Sequence, residues 1–437
     1  MLRWIPRVML VAAVTAAGCR ESEEAAPASP TGAPSPVAGG SDAPSLDWPG
    51  FRGPSGDGIA PVGAAPPLPA DGEMPIAWKT PLPAAGPSSP IVASHLVIVT
   101  GEGHHIAAFD AATGEPRWET ALDAPPAPPP DEGRSAFTPG QYGTAVATPC
   151  TDGRYVYAMF ADGVLGAVDL DGRQAWAVRV VSHPINIYGM AASPRIHDGV
   201  VIQAIDQDAD EYLDTTFRSY LVGLRADDGA ELWRTDSPTY PSWATPLLLT
   251  DSERAEVVCC AEPWVTAYDP ADGSELWRAD GAVGEIGASP VADAAHVYAF
   301  GDPYGAILAI RRGGRGDITD SHLAWRYDID GPEVPSGVTD GQRVIFIDTM
   351  GTIRALGAAD GHPLWTYDHG EAVYASPVLA AGRLYIIDTN GTLLALDPAT
   401  GDLLGQAELG EPVNASPAFV GGRIYVRTDK HLVCLGE

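Results

Sequence analysis

The 437-residue chain is 45% apolar, ample for a core, and sets 26 basic against 57 acidic side chains, a formal net charge of −31. That balance excludes the basic face needed to displace counterions from nucleic acid or to lie on anionic lipid headgroups. A chain of this length forms two or three ordinary domains or, if it repeats, one closed ring.

In chain order, Arg3 and Arg7 make a short basic region, and residues 8–17 an apolar run too short to cross a bilayer. This is the layout of a targeting segment. The run ends in Ala16-Ala17-Gly18-Cys19, which resembles a bacterial lipobox. The resemblance implies that Cys19 is a lipid attachment site and that residues 1–19 are a lipoprotein signal peptide. Ordinary secretion with cleavage at Ala-x-Ala is the alternative. Arg20 stands where an Asp, in the lipoprotein family, signals inner-membrane retention. The resemblance therefore implies the outer membrane, with the protein facing the periplasm. Residues 20–46 are rich in Pro, Ala, Ser and Gly and lack apolar periodicity. They read as a disordered tether with a reach of roughly 30 Å.

Residues 47–75 form an entry segment before the repeats. Its start, Asp47-Trp-Pro-Gly-Phe-Arg-Gly-Pro54, alternates two aromatic rings with turn formers. Trp48 and Phe51 are expected to pin it to the outside of the domain that follows.

From residue 76 onward two markers recur. One is a small residue, then Ser or Thr, then Pro, opening an apolar run. It stands at Ser89-Pro90, Thr148-Pro149, Ser193-Pro194, Thr245-Pro246, Ser289-Pro290, Ser376-Pro377 and Ser416-Pro417, with Pro335-Ser336-Gly337 as a degenerate copy. The other closes each unit with an Asp/Gly-rich turn and a Trp, clearest in Ala108-Phe-Asp-Ala-Ala-Thr-Gly-Glu-Pro-Arg-Trp118. Trp176, Trp233, Trp277, Trp325 and Trp365 end further copies, and Gly405 replaces the Trp in the last. This A-x-D-x-x-x-G-x-x-x-W signature resembles the tryptophan-docking motif of the PQQ-like, or quinoprotein alcohol dehydrogenase-like, β-propellers, over about residues 76–435. The resemblance implies an all-β, eight-bladed propeller of four-stranded antiparallel blades, with each Trp docked on a neighbouring blade. The last opener leads to strands at 423–426 and 431–435, after which the chain stops one strand short. Trp78, in an ending strand with no blade before it, is expected to complete that blade and close the ring, spanning residues 76–437. Seven blades is the alternative, because Pro335-Ser336-Gly337 is a poor opener.

Candidate sites are few. Segments before the openers belong where innermost strands begin, at one mouth of the central channel. They carry Tyr142, Tyr188, Trp243, Glu285, Tyr374 and Asn414, a set that suits a protein or ligand surface. Asp206, Asp208 and Asp210 are spaced like the start of a calcium loop, but the Gly and Glu such a loop needs are missing. No metal is expected there. Cys150, Cys259, Cys260 and Cys434 match neither a zinc nor a haem spacing, and Cys259-Cys260 reads as two strand residues facing opposite sides. No fingerprint of a hydrolase, nucleotide or metalloprotease site occurs in a fitting context.

Within the PQQ-like family the chain is most similar to BamB-like propeller lipoproteins. They share a lipidated N-terminus, eight blades and no cofactor motif. The resemblance implies a non-enzymatic scaffold that binds envelope proteins, including an outer-membrane assembly complex. The alternative is a quinoprotein dehydrogenase, which would bring PQQ and Ca²⁺ into the channel beside a vicinal disulfide; a ligand-binding propeller is a third reading.

Overall fold

The computed structural model describes residues 48–61, 63, 66, 68–69, 75–129, 145–182, 184, 186, 188–207, 218–252, 254–301, 305–328 and 331–436. Cys19, the tether, Tyr142, Asp208 and Asp210 lie outside the described residues.

The strands assemble into eight antiparallel sheets arranged as blades. Blades 1 to 7 span 91–121, 150–179, 195–236, 247–280, 291–328, 338–368 and 378–408. In blade 8, 418–435 is joined by Ile76–Pro81, which runs antiparallel to His431–Leu435 with Trp78 opposite Cys434. The degenerate Pro335-Ser336-Gly337 therefore opens a full blade, and the seven-blade alternative is set aside.

Burial follows position in the blade. Leu96–Gly101, a second strand, is buried throughout, because sheets pack on both of its faces. Outermost strands such as Pro116–Ala121 and Pro363–Asp368 show the alternation of a half-solvated edge. Innermost strands are only two or three residues long. The Arg/Gly-rich excursion of blade 5 folds back onto blade 4, where Gly316–Asp317 adds a fifth, parallel strand beside Glu275–Asp280.

The tryptophan signature acts between blades. The indole N–H of Trp78 donates to the Ala111 carbonyl at 3.1 Å, that of Trp118 to Leu170 at 2.8 Å, and that of Trp176 to Ala226 at 2.8 Å. Trp325 reaches Ala358 at 3.0 Å and Trp365 reaches Pro398 at 3.1 Å. Each acceptor lies in the Asp/Gly turn of the next blade. The turn glycine lies flat beneath the ring: a Cβ on Gly114 would stand 2.5 Å from Trp78, and one on Gly229 2.6 Å from Trp176. The Gly and Trp of one motif copy thus serve opposite neighbours. Trp233 stacks on Gly273 in the same way, although its indole N–H is buried with no partner among the described residues. Trp277 departs from the pattern: the excursion in blade 5 displaces the usual turn, and its N–H goes instead to Glu256 Oε2 at 3.0 Å.

The entry segment corrects one expectation. It does not run along the outside; it crosses one end of the channel. Trp48 exchanges two 2.9 Å backbone hydrogen bonds with Val92 of blade 1, and its ring packs on Phe419 of blade 8. The Pro49 carbonyl accepts from Thr151 N–H of blade 2, and the Phe51 carbonyl from the Arg195 guanidinium of blade 3. Arg52 is buried and donates to the carbonyls of Gly337, at blade 6, and Asp57. Gly58 and Ala60 bracket Leu379 of blade 7 with 2.8 Å bonds. The physical reason is that innermost strands present unpaired backbone groups to the channel. A segment rich in turns, with its own N–H and C=O groups exposed, satisfies several of them at once.

Candidate binding cup at the channel mouth

The eight openers meet around the axis. The backbone N–H of Ser89 donates to Thr148 Oγ1, Thr148 to Ser193, Ser193 to Thr245 and Thr245 to Ser289. The series continues through Ser336, Ser376 and Ser416, whose N–H returns to Ser89 Oγ. All eight bonds measure 2.8–3.0 Å and run in one rotational sense. A hydroxyl here does what no apolar residue could: it satisfies a buried N–H of the blade before it. The small residue and Pro beside it keep the crowded axis narrow.

This belt surrounds a cavity of about 270 Å³. Phe51 of the entry segment reaches its lining from one end. Above the belt, the residue two before each Ser or Thr contributes to the wall. It is Pro87, Val146, Ala191, Gly287 or Val334 in five openers, and the larger Trp243, Tyr374 or Asn414 in the other three. Tyr188, Glu285 and Glu333 complete the lining, which among the described residues contains no Lys, Arg or His.

Trp243 is held firmly. Its indole N–H donates to Asn186 Oδ1 at 2.8 Å, and its ring meets Tyr188 edge-on at 5.0 Å and 74°. Asn186 is buried; its oxygen also accepts from Tyr188 N–H, and its amide donates to the Asp206 carbonyl at 3.2 Å. Glu333 Oε2 accepts from Thr349 Oγ1 at 3.1 Å.

Five of the six predicted mouth residues, Tyr188, Trp243, Glu285, Tyr374 and Asn414, therefore share one cavity. The sequence reading missed Phe51, Asn186 and Glu333. The fixed offset from the opener carries a signal for the wall positions, but nothing local marks Asn186 as the support of a Trp far along the chain.

Cys259 and Cys260 are free thiols on the strand Glu256–Ala261 and do not line the cup. They line a separate, much smaller cavity with Asp206. Burial pushes the Cys260 thiol up to about 12 and the Asp206 carboxyl up to about 8. Among the described residues no group of three or more His, Cys, Asp or Glu is placed to hold a metal ion. The quinoprotein resemblance implies a vicinal disulfide beside a cofactor in the channel, whereas Cys259 and Cys260 lie outside the cup. A larger cavity, about 590 Å³, lies under the entry segment between blades 2 and 5. Among its charged side chains, Arg312 pairs with Asp251, and Asp152 accepts from Tyr157 OH and two backbone N–H groups, whereas Arg195 Nη2 is buried with no hydrogen-bond partner among the described residues.

No curated protein matches the sequence significantly. Among solved structures, the quinohemoprotein alcohol dehydrogenase of Comamonas testosteroni superposes with a TM-score of 0.67 at 15% identity, covering 90% of this chain and 81% of its own. BamB from Moraxella catarrhalis gives 0.61 at 15% identity, covering 83% and 98%. The computationally designed Ika8 protein gives 0.58 at 14% identity, covering 85% and 100%. At these identities the likeness establishes the fold. The model of the PQQ-like family described as outer membrane protein assembly factor BamB matches residues 69–209, 217–349 and 349–435, nearly the whole propeller, and the chain belongs to that family.

Proposed function

We propose that the protein is a non-enzymatic scaffold of the cell envelope, lipid-anchored through Cys19 on the periplasmic side of the outer membrane. It binds partner proteins through the face on which the cup opens. The observation that carries this reading is a set of exposed apolar side chains in or next in sequence to segments that line or support the cup. Tyr240, Val283, Val334 and Met350 are exposed large apolar side chains, from Val283 at 36% to Met350 at 73%. Tyr240 and Val283 lie close in sequence to Trp243 and Glu285, Val334 lines the cup, and Met350 follows the Thr349 that binds Glu333. Exposed apolar side chains in such segments suit a docking surface. Family membership favours a partner within an outer-membrane assembly complex. A propeller fold by itself fixes no activity, and PQQ with Ca²⁺ belongs only to the dehydrogenase alternative.

The test is affinity purification of the full-length chain from detergent-solubilised envelope, beside a Tyr240→Asp/Met350→Asp variant. Outer-membrane assembly proteins should co-purify with the unaltered chain and be lost from the variant. Dye reduction after reconstitution with PQQ and Ca²⁺, or identical captures from both proteins, would overturn the proposal.

A further inference from the structure

We infer that the larger cavity, under the entry segment, receives an extended basic peptide segment that pairs with the innermost strand of blade 4. The entry segment itself shows how such an edge is met. At the third residue after an opener's hydroxyl, both backbone groups turn to the channel. Val92 exchanges two bonds with Trp48 there, Leu379 bonds to Gly58 and Ala60, and Thr151 N–H donates to Pro49. The same offset in blades 3, 4 and 5 falls on Ile196, Leu248 and Ala292, and all three line the cavity of about 590 Å³. Blade 5 agrees with this register. Its next residue, Asp293, turns its N–H to His296 on the paired side, so Ala292 turns the other way, as alternation in an antiparallel ladder requires. The innermost strands of these blades end their sheets, and among the described residues no strand pairs with their channel edge.

A peptide added to such an edge takes main-chain bonds whatever its sequence, and its side chains decide which sequence binds. Blade 4 offers the longest stretch, because Leu247 to Asp251 all line the cavity. The lining is acidic, with five aspartates against two arginines and one histidine among the described residues. Arg195 is engaged with the Pro246 and Phe51 carbonyls and Arg312 with Asp251, whereas the Asp198 side chain is 89% exposed. That balance attracts a basic side chain. The chain's own residues 20–47 fit poorly, since they set one Arg against five carboxylates. The volume lies within the usual range for small-ligand sites and admits a short extended segment rather than a folded domain. No residue of the cup lines this cavity, so the inference goes beyond the docking face and stands or falls apart from it.

The experiment titrates the purified full chain with acetyl-Val-Lys-Val-amide, using ligand-observed NMR. Beside it run the same peptide methylated on the lysine backbone nitrogen, and its glutamate counterpart. The parent peptide should bind at least about tenfold more tightly than either, a difference of about 1.4 kcal/mol. Leu248→Pro removes the channel-facing N–H but no ladder bond, a change that sheet edges tolerate. It should abolish binding at a nearly unchanged unfolding midpoint. Asp251→Asn, which also leaves Arg312 without its carboxylate, should shrink the preference for lysine over glutamate. Equal binding of the parent and methylated peptides, which needs no variant to fold, overturns the inference. So does equal binding to the unaltered and Leu248→Pro chains, or no binding at all. Displacement of the lysine peptide by a synthetic copy of residues 20–47 would assign the cavity to the chain's own leading segment and overturn it as well.

Discussion

The backbone N–H of Ser416 donates to the hydroxyl of Ser89 at 3.0 Å, across 327 positions of sequence. Every bond of the belt has the same direction, so removing one hydroxyl orphans an N–H in the preceding blade. Ser89→Ala should leave the Ser416 N–H buried without a partner and cost about 1–3 kcal/mol. Ser89→Thr should restore most of that, because Thr148 and Thr245 already serve in the same role. Urea unfolding of the two variants checks the pair; equal loss in both would show that the hydroxyl is not what matters.

The docking of Trp365 on Gly401 separates two costs of replacing glycine. Gly401 and Gly410 both adopt positive φ, +78° and +73°. A Cβ on Gly401 would stand 2.7 Å from the Trp365 ring, whereas one on Gly410 would meet nothing within 4 Å. Gly410→Ala should therefore cost only backbone strain, about 1–2 kcal/mol. Gly401→Ala should add overpacking of about 1–3 kcal/mol to the same strain. Thermal unfolding of the two variants should rank them clearly, and similar melting temperatures would refute the account of the motif.

The closing strand carries a pH signature. Lys79 of Ile76–Pro81 pairs with Glu411 at 2.7 Å, and Thr428 and His431 also contact that carboxylate. Partial desolvation acts upward on Glu411, but its bonds to Lys79, Thr428 and His431 outweigh it and hold the group down at about 2. A depressed carboxyl stabilises the fold above its unfolded value, near 4.5, and the contribution disappears as pH falls toward 2. Glu411→Gln should accordingly lower the urea midpoint at pH 7 and have a shrinking effect below pH 4. A difference independent of pH would contradict this.

Asp206 has the opposite sign. Burial holds its carboxyl at about 8 in the folded protein, above its unfolded range. A raised acid contributes stability that is complete below the unfolded value and lost as pH climbs toward 8. Asp206→Asn should thus gain on the unaltered chain as pH rises from 4 to 8, measured by urea midpoints at both ends. A constant offset would place the carboxyl in water.

Much of the ring was legible in the sequence, because each blade repeats the same two markers and repetition multiplies a weak signal. Ser336 shows the limit: without its Pro it looks degenerate, yet its hydroxyl accepts from Ser289 like any other. The role of the motif glycine was hidden because its partner Trp comes from the previous copy, a relationship that spacing within one copy cannot carry. The entry segment failed for a related reason. Trp48 and Phe51 announce burial, but composition does not say against which surface, and the surface proved to be the exposed edges of innermost strands. The cup could be anticipated where its residues keep a fixed offset from an opener, as Trp243, Tyr374 and Asn414 do. Phe51 and Asn186 come from elsewhere in the chain and needed the tertiary structure.

The belt has no seam. Its bond between Ser416 and Ser89 falls within the 2.8–3.0 Å of those between blades joined by the chain, although strand pairing rather than a continuous chain completes blade 8. The order in which the blades are threaded is therefore a matter of covalent history rather than of packing. Fusing residue 435 to residue 76 through a short linker, and opening the chain between two other blades, should yield a circular permutant that keeps the belt but lacks the entry segment and with it the Phe51 part of the cup.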